Sequence, residues 1–388
     1  MIIDNEKKGD SLSIGFDAKR AFFNSSGLGN YSRNLLSALA KNFPGNHYYL
    51  FTPKTKNRFI LDYDEQFTLI EPNKFIFKLL NSLWRRKFMT NDIKQHKIDI
   101  YHGLSHELPV GIEKTGVKSI VTVHDLIFIR FPELYSRPDR KIYTRKIIHA
   151  CKVSDRIVAI SKQTREDLIT CLGVEPDKIT VIYQGCNPRF WNNCSEEYRI
   201  EIRTRYSLPE RYILYVGTVE ERKNLLSIVQ ALHVSGINIP LVVVGRKVNP
   251  YYRKVLNYIT DHRLDKIIFL EGIKNSDLPV IYRDAECFIY LSFVEGFGIP
   301  LLEALVSGTP VITTEGGCFA EAAGPGSIYV DPHDPEKIGK AIIKVTSDKD
   351  LRDKMIRIGA EYADNFKDEI IARDYMMLYR SIFKNGND

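Results

Sequence analysis

The sequence predicts an α/β protein made of two doubly wound, Rossmann-like parallel-sheet domains. Three observations carry this expectation. Short apolar runs rich in β-branched residues alternate with amphipathic stretches along most of the 388 residues. The rhythm pauses at one place, the polar segment 186–210, and then resumes. The chain is also long enough for two cores, with 44% hydrophobic and 27% charged residues and no low-complexity tract.

Taken in order, the polar start MIIDNEKKGDSLSIGFD has no apolar signal core and reaches a first strand at about Leu12–Asp17. YYLFT (48–52), SIVTVHD (119–125), RIVAIS (156–161) and KITVIYQG (178–185) read as buried parallel strands of the first domain. YILYVGT (212–218), PLVVVG (240–245), KIIFLEG (266–272), ECFIYLS (286–292) and PVITT (310–314) repeat the habit in the second. QTREDLITCLG (163–173) and NLLSIVQALHVSG (224–236) are among the helices between them. After Asp331 the pattern is helical to about Phe383. The expected division is therefore 1–190, 191–365 and a terminal helix in 366–388 that crosses back to the first domain, with 186–210 as the linker. Such a linker would let the domains close around a ligand.

A net charge of +7 suits an anionic ligand or membrane surface without choosing between them. No apolar run approaches the roughly 18 residues of a spanning helix. The six cysteines form no C-x-x-C pair, as expected of reduced thiols in the cytoplasm.

Ligands of open parallel sheets bind beyond the carboxyl ends of the strands. There, FVEGFGIPLLEALVSG (293–308) runs from a strand through a glycine turn into a helix. Pro300 suits the helix start and Gly308 its end. Gly296 and Gly298 leave the backbone open to a ligand, and the helix N-terminus favours an anion such as phosphate. Glu295 and Glu303 would repel that phosphate, so hydroxyls are their natural partners. A ligand with central phosphates and flanking polyols, a nucleotide sugar, satisfies both demands. In GTVEERKNL (217–225), Arg222 and Lys223 lie where a helix begins, a position that disfavours cations unless an anion binds there. Cations aimed at a departing diphosphate would stabilise the transition state.

The pattern S-x-x-E-G-F-G-x-P-x-x-E-A-x-x-x-G-x-P-V-I resembles the retaining glycosyltransferases of family 4, which have the GT-B fold, and the likeness extends over nearly the whole chain. It implies that Glu303 grips the nucleotide ribose and that Glu295 lies at the donor sugar with backbone N–H groups of Gly296, Phe297 and Gly298. GLGNYSRNLLSAL (27–39) is similar to the family's N-terminal glycine loop, so Gly27 and Gly29 are expected near the donor phosphates. VTVHDLIF (121–128) is similar to the strand that ends beside the reacting sugar, placing His124 there through its ring or its backbone. VSDRIVAISKQTREDL (153–168), IYQGCN (182–187) and EAAGPGSIYVDPHDPEKIGKAI (321–342) follow the family order too. Gly217 begins the phosphate loop. This chain has Thr218 where many members carry Arg, and Arg222, next to the expected Lys223, is the candidate to supply that charge. The resemblance further implies front-face transfer without a protein nucleophile and without a metal.

The resulting expectation is a cytoplasmic hexosyltransferase of cell-surface polysaccharide assembly, without cofactor. Its donor would be a GDP- or UDP-linked sugar, GDP-mannose favoured, and its acceptor a glycan or polyprenyl-diphosphate-linked glycan. A nucleotide-sugar 2-epimerase of the same fold and a non-catalytic scaffold are the alternatives; nucleic acid is not an expected partner. Asp62-Tyr63-Asp64 and the pair His102/His106 mimic metal motifs, but their surroundings do not support a metal. KFIFKLLNSLWRRKF (74–88) has an apolar face with Trp84 and Phe88 beside it, which fits either a helix packed on its own domain or an interfacial one.

Overall fold

The structure, a computed structural model, describes residues 11–54, 56, 59, 61–72 and 83–384. They form two compact units: the first runs to Gly185 and regains the chain from Asp368, and the second is Cys186–Lys367.

In the first unit, β1 (Ser13–Asp17), β2 (His47–Phe51), β3 (Phe67–Ile70), β4 (Ile100–Gly103), β5 (Lys118–Val123), β6 (Arg156–Ala159) and β7 (Ile179–Val181) make one sheet. Its order is β3-β2-β1-β4-β5-β6-β7, and every pairing is parallel. In the second unit, β8 (Ile213–Val216), β9 (Leu241–Val244), β10 (Ile267–Leu270), β11 (Cys287–Tyr290), β12 (Val311–Thr314) and β13 (Ile328–Val330) run β10-β9-β8-β11-β12-β13, again all parallel. The central strands β8, β9, β11 and β12 are buried almost throughout, which is why they read as unbroken apolar runs. Each sheet reverses its order once, between β1 and β4 and between β8 and β11. Loops on either side of such a reversal diverge and leave a crevice at the carboxyl ends.

Helix Asp368–Lys384 packs on helix Gly27–Asn42 and shares a core with Phe16, Leu36 and Tyr48. Polar contacts fix its register. Tyr375 and Tyr31 share a hydroxyl hydrogen bond of 2.6 Å, Tyr31 reaches Thr122 at 3.1 Å, and His102 bridges Thr122 and Tyr379 at 2.8 Å each. Burial first, and then nearby His124, hold the His102 pKa down at about 3, so the ring is neutral.

The segment 186–210 is not the linker that its polarity suggests. It belongs to the second unit, where Ser195 caps helix Glu196–Arg205. Tyr198, Arg205 and Tyr206 bond Asp277 at 2.7–2.8 Å, while Arg199 and Arg203 bond Asp284 at 2.7 and 2.8 Å. Both aspartate side chains are essentially inaccessible, so the polar residues of this segment neutralise buried charge.

Most of 74–88 lies outside the described residues. Of its end, Trp84 is 1% exposed and donates from Nε1 to Asp92 at 2.7 Å, so it is a core residue rather than an interfacial anchor. Arg85 is held by Asp17 and Glu107, and Phe88 is exposed.

The two glycines of GLG differ physically. A Cβ on Gly29 would fall 1.8 Å from the Asn24 carbonyl oxygen, whereas one on Gly27 would meet nothing within 4 Å. Gly29→Ala should therefore destabilise the protein by roughly 1–3 kcal/mol and lower Tm by several degrees. Gly27→Ala should stay within about 0.5 kcal/mol. Equal thermal unfolding of the two variants would contradict this reading.

Candidate active site

In the second unit, the loops after β8 and β11 meet at the strand-order reversal. From β8 the chain passes Gly217 and Thr218 into the turn Glu221–Lys223, and Asn224, in the left-handed region at φ 55°, redirects it into helix Leu225–Val234. From β11 it passes through Ser292–Gly298 into helix Ile299–Val306. Gly298 adopts φ 111°, Pro300 occupies the first turn, and Gly308 at φ 72° follows the helix end. The loops are tied directly: Phe293 N–H donates to the Arg222 carbonyl at 2.9 Å, and the Arg222 guanidinium donates to the Val294 carbonyl at 2.8 Å.

Glu295 is the centre of this contact. Its Oε1 accepts from Lys223 Nζ at 2.5 Å, from Arg222 at 2.9 Å and from the Tyr290 hydroxyl at 2.9 Å. Arg222 also pairs with Glu220 at 2.8 Å. Burial alone would raise the Glu295 pKa, but Lys223 and then Arg222 outweigh it and hold the carboxyl at about 2. Burial lowers the Lys223 ammonium from its ordinary value, and Glu295 counters part of that shift. The basic pair and the first acid of E-x7-E are thus one charge-balanced cluster. Neither cation waits unpaired for an anion.

Glu303 lies on the helix itself. Its Oε2 accepts from the Tyr282 hydroxyl at 3.1 Å, and burial lifts its pKa to about 7 despite that bond. The two glutamates therefore differ in protonation: Glu295 is a carboxylate at any ordinary pH, and Glu303 titrates near neutrality. The Phe297 ring is 2% exposed and packs near Phe366, which leaves only the backbone of this residue for a ligand. Cys318 Sγ lies 3.2 Å from the carbonyls of both Glu295 and Phe297 and braces the turn from behind.

One feature here escapes the sequence motifs. A Cβ on Gly245, after β9, would fall 1.9 Å from the Gly217 carbonyl oxygen, so this glycine lets its loop close against the loop after β8. Arg246 and Lys247 follow it, and Lys247 pairs with Glu271 after β10. A basic pair directly after the strand-ending glycine of PLVVVGRK was the available signal.

In the first unit, the loops after β1, β4 and β5 line a cleft of about 280 Å³ that includes Arg20, Asn24, His106, Asp125, Tyr143 and Lys146. Gly29 serves the close approach described above, and Gly27 stands at the open helix start. His124 is 4% exposed, and both ring nitrogens have partners within the protein: Nε2 reaches the Leu104 carbonyl at 2.9 Å and Nδ1 the Gln184 amide at 3.3 Å. Burial, with His106 adding to it, lowers its pKa to about 3. The neutral ring is committed internally, and so is the backbone carbonyl, which accepts from the Thr164 hydroxyl at 3.2 Å. His106 Nε2 accepts from the His124 N–H at 2.9 Å, and His102 is a core residue. Tyr63, in the left-handed region, interrupts the Asp62-Tyr63-Asp64 motif. Among the described residues no three His, Cys, Asp or Glu side chains gather as a metal site, and no helix is long and apolar enough to cross a membrane.

Comparison with known proteins agrees with this architecture. Residues 25–190 match the family model described as Glycosyltransferase Family 4, and 199–362 match that of Glycosyl transferases group 1. The chain is similar to O-antigen chain mannosyltransferase B of Escherichia coli, with 28% identity over 71% of this chain and 72% of that protein. It is also similar to O-antigen chain mannosyltransferase RfbU of Salmonella typhimurium, with 27% identity over 68% and 69%. Among solved structures, a glycosyltransferase from Rickettsia africae aligns at TM-score 0.74 and 19% identity, covering 97% of this chain and all of that one. WaaG, a glycosyltransferase involved in lipopolysaccharide biosynthesis, aligns at 0.69 and 17%, covering 94% and 99%; these two likenesses speak to the GT-B fold. With both halves matched and the strand orders of two Rossmann-like units in place, the chain belongs to glycosyltransferase family 4.

Proposed function

We propose that the protein is a retaining hexosyltransferase that moves a sugar, mannose from GDP-mannose by preference, to a glycan or polyprenyl-diphosphate-linked glycan during surface-polysaccharide assembly at the cytoplasmic face of the membrane. The observation that carries this reading is the Glu295–Lys223–Arg222 cluster at the reversal between β8 and β11, immediately before a helix that bears Glu303. The preference for mannose rests on the names of the O-antigen relatives.

In this reading the turn Gly296–Gly298 and the helix N-terminus receive the diphosphate, and Glu303 accepts hydrogen bonds from the ribose. Glu295 turns toward the sugar hydroxyls. As it does so, Lys223 and Arg222 become available to the departing phosphate, whose charge they stabilise in place of a metal. The leaving phosphate takes the acceptor's proton. Gly217 and Thr218 border the phosphates, while Gly27 and the His124 backbone belong to the acceptor-bearing unit, whose cleft is the proposed acceptor site.

A thermal-shift panel of GDP, UDP, ADP and their sugars, with and without EDTA, tests this first. One nucleotide at a hundred times its Kd should add about 2.7 kcal/mol of stability, insensitive to EDTA. No shift with any of them would remove the donor-site reading.

Substitutions separate the two acids. Glu303→Ala should chiefly weaken nucleotide binding, while Glu295→Ala should chiefly slow transfer. Removing Glu295 also strands the buried Lys223 ammonium, while Arg222 keeps Glu220, so a loss of stability of about 3 kcal/mol should accompany it. Equal, negligible effects of both would defeat the assignment.

Nucleotide binding should depend on pH through Glu303. Its carboxyl is mostly protonated at about pH 6 and mostly ionised at about pH 8, given a pKa raised to about 7. Only the ionised form accepts strongly from both ribose hydroxyls, so affinity should rise about fivefold across that window. Glu303→Gln should abolish this component and leave the phosphates' own titration. An identical pH profile in both proteins would refute it.

A further inference from the structure

Helix Arg137–Val153 of the first unit has an inner face of Ile147, Ala150 and Cys151, all buried. Its outer face carries Arg137, Lys141, Arg145 and Lys152, placed at helical spacing so that they lie on one side. Between them Ile142 and Ile148 are 50% and 48% exposed, and Leu134, just before the helix, is 40% exposed. A single exposed apolar side chain is unremarkable. Three around a run of cations form a pattern. Arg137, Arg140, Lys141 and Arg145 with Thr144 wall a shallow hollow, and among the described residues none of these four cations enters a side-chain ion pair. The helix's one acidic residue, Asp139, is bonded to Ser136 at 2.7 Å in the first turn.

From this we propose that the outer face of helix Arg137–Val153 docks the protein on a bilayer that carries anionic phospholipid. The cations meet the lipid phosphates, and Ile142, Ile148 and Leu134 enter the headgroup boundary. Charge complementarity selects this occupant: the outer face of the helix carries four cations and no acid, with isolated apolar side chains rather than the continuous apolar core of a protein interface. The same helix sends Tyr143 and Lys146 to line the cleft of the first unit. Docking would therefore bring the mouth of that cleft to headgroup level, where an acceptor on a lipid anchor could enter it without leaving the membrane. This assigns the membrane contact to a different helix from the 74–88 segment, whose Trp84 lies in the core.

The test is co-sedimentation of the full chain with phosphatidylcholine vesicles, with and without roughly one third phosphatidylglycerol, in about 0.1 M salt. Neither donor nor acceptor is present, so the result is independent of the transfer reading. The expected result is binding to the anionic vesicles tighter by on the order of a hundredfold or more. Each basic residue near such a surface contributes roughly a factor of five. Arg137→Gln/Lys141→Gln/Arg145→Gln should thus weaken binding on the order of a hundredfold, and Lys141→Arg/Arg145→Lys should retain it. Ile142→Ser/Ile148→Ser should leave weaker binding that fades faster with added salt. Thermal unfolding checks each variant; if the triple variant is unfolded, Lys141→Gln and Arg145→Gln singly should each weaken binding about fivefold. Equal binding to neutral vesicles, wild-type binding by the folded glutamine variants, or no vesicle binding at all, as for a face that meets an acidic protein, would each overturn the proposal.

Discussion

A parallel sheet that reverses its strand order must separate two neighbouring loops, and the candidate site of this chain depends on that constraint. Between β8 and β11 the chain leaves the sheet in opposite directions, toward helix Leu225–Val234 on one side and helix Ile299–Val306 on the other. The crevice between them has to be closed by something. Here it is closed by a buried carboxylate: Glu295 reaches from one loop to Lys223 and Arg222 on the other. The same reversal between β1 and β4 opens the cleft of the first unit, where Arg85 spans Asp17 at the end of β1 and Glu107 after β4. Two unrelated sets of residues thus bridge the same topological gap with ion pairs.

Desolvating such ions is costly unless each has partners. Glu295 has three at one oxygen, and Arg222 has a further acid and a carbonyl. The cluster is therefore satisfied by protein partners alone. That differs from the simple picture in which a basic loop waits for phosphate. A self-neutralised crevice resists collapse and also resists indiscriminate anions, because any anion approaching Lys223 competes with a carboxylate already 2.5 Å away.

How much of this could be read from the sequence follows the range of the interactions. The turn and helix at 293–308 form one contiguous piece, so Gly298, Pro300, Gly308 and the glutamates could be placed by spacing alone. The central strands were equally plain, being apolar and buried on both faces. β3 and β4 were not singled out, since β3 is an edge strand buried only at its two ends and β4, Ile-Tyr-His-Gly, hides its burial behind a histidine. The segment 186–210 misled because polarity ordinarily means solvent, whereas its arginines and tyrosines serve Asp277 and Asp284, roughly 70–85 residues further along the chain. His124 misled for a related reason. A histidine at a strand end looks available, but Leu104 and Gln184, distant in sequence, occupy its ring. Trp84, beside Arg85, Arg86 and Lys87, fitted either a packed or an interfacial helix, and the core claimed it.

The pairing of Lys223 with Glu295 is the most consequential contact that local pattern could not supply. Each residue read alone points to a different part of a nucleotide sugar, the cation to phosphate and the acid to hydroxyls. Joined, they make those two recognitions interdependent. If the donor binds as proposed, hydroxyls that satisfy Glu295 release the cations, and a diphosphate that engages the cations frees Glu295 to accept from hydroxyls. A phosphate without a sugar offers only half of that exchange and leaves Glu295 competing for the same charges. The cluster would then favour the intact donor over its leaving group, as a transferase that must shed its nucleotide product requires.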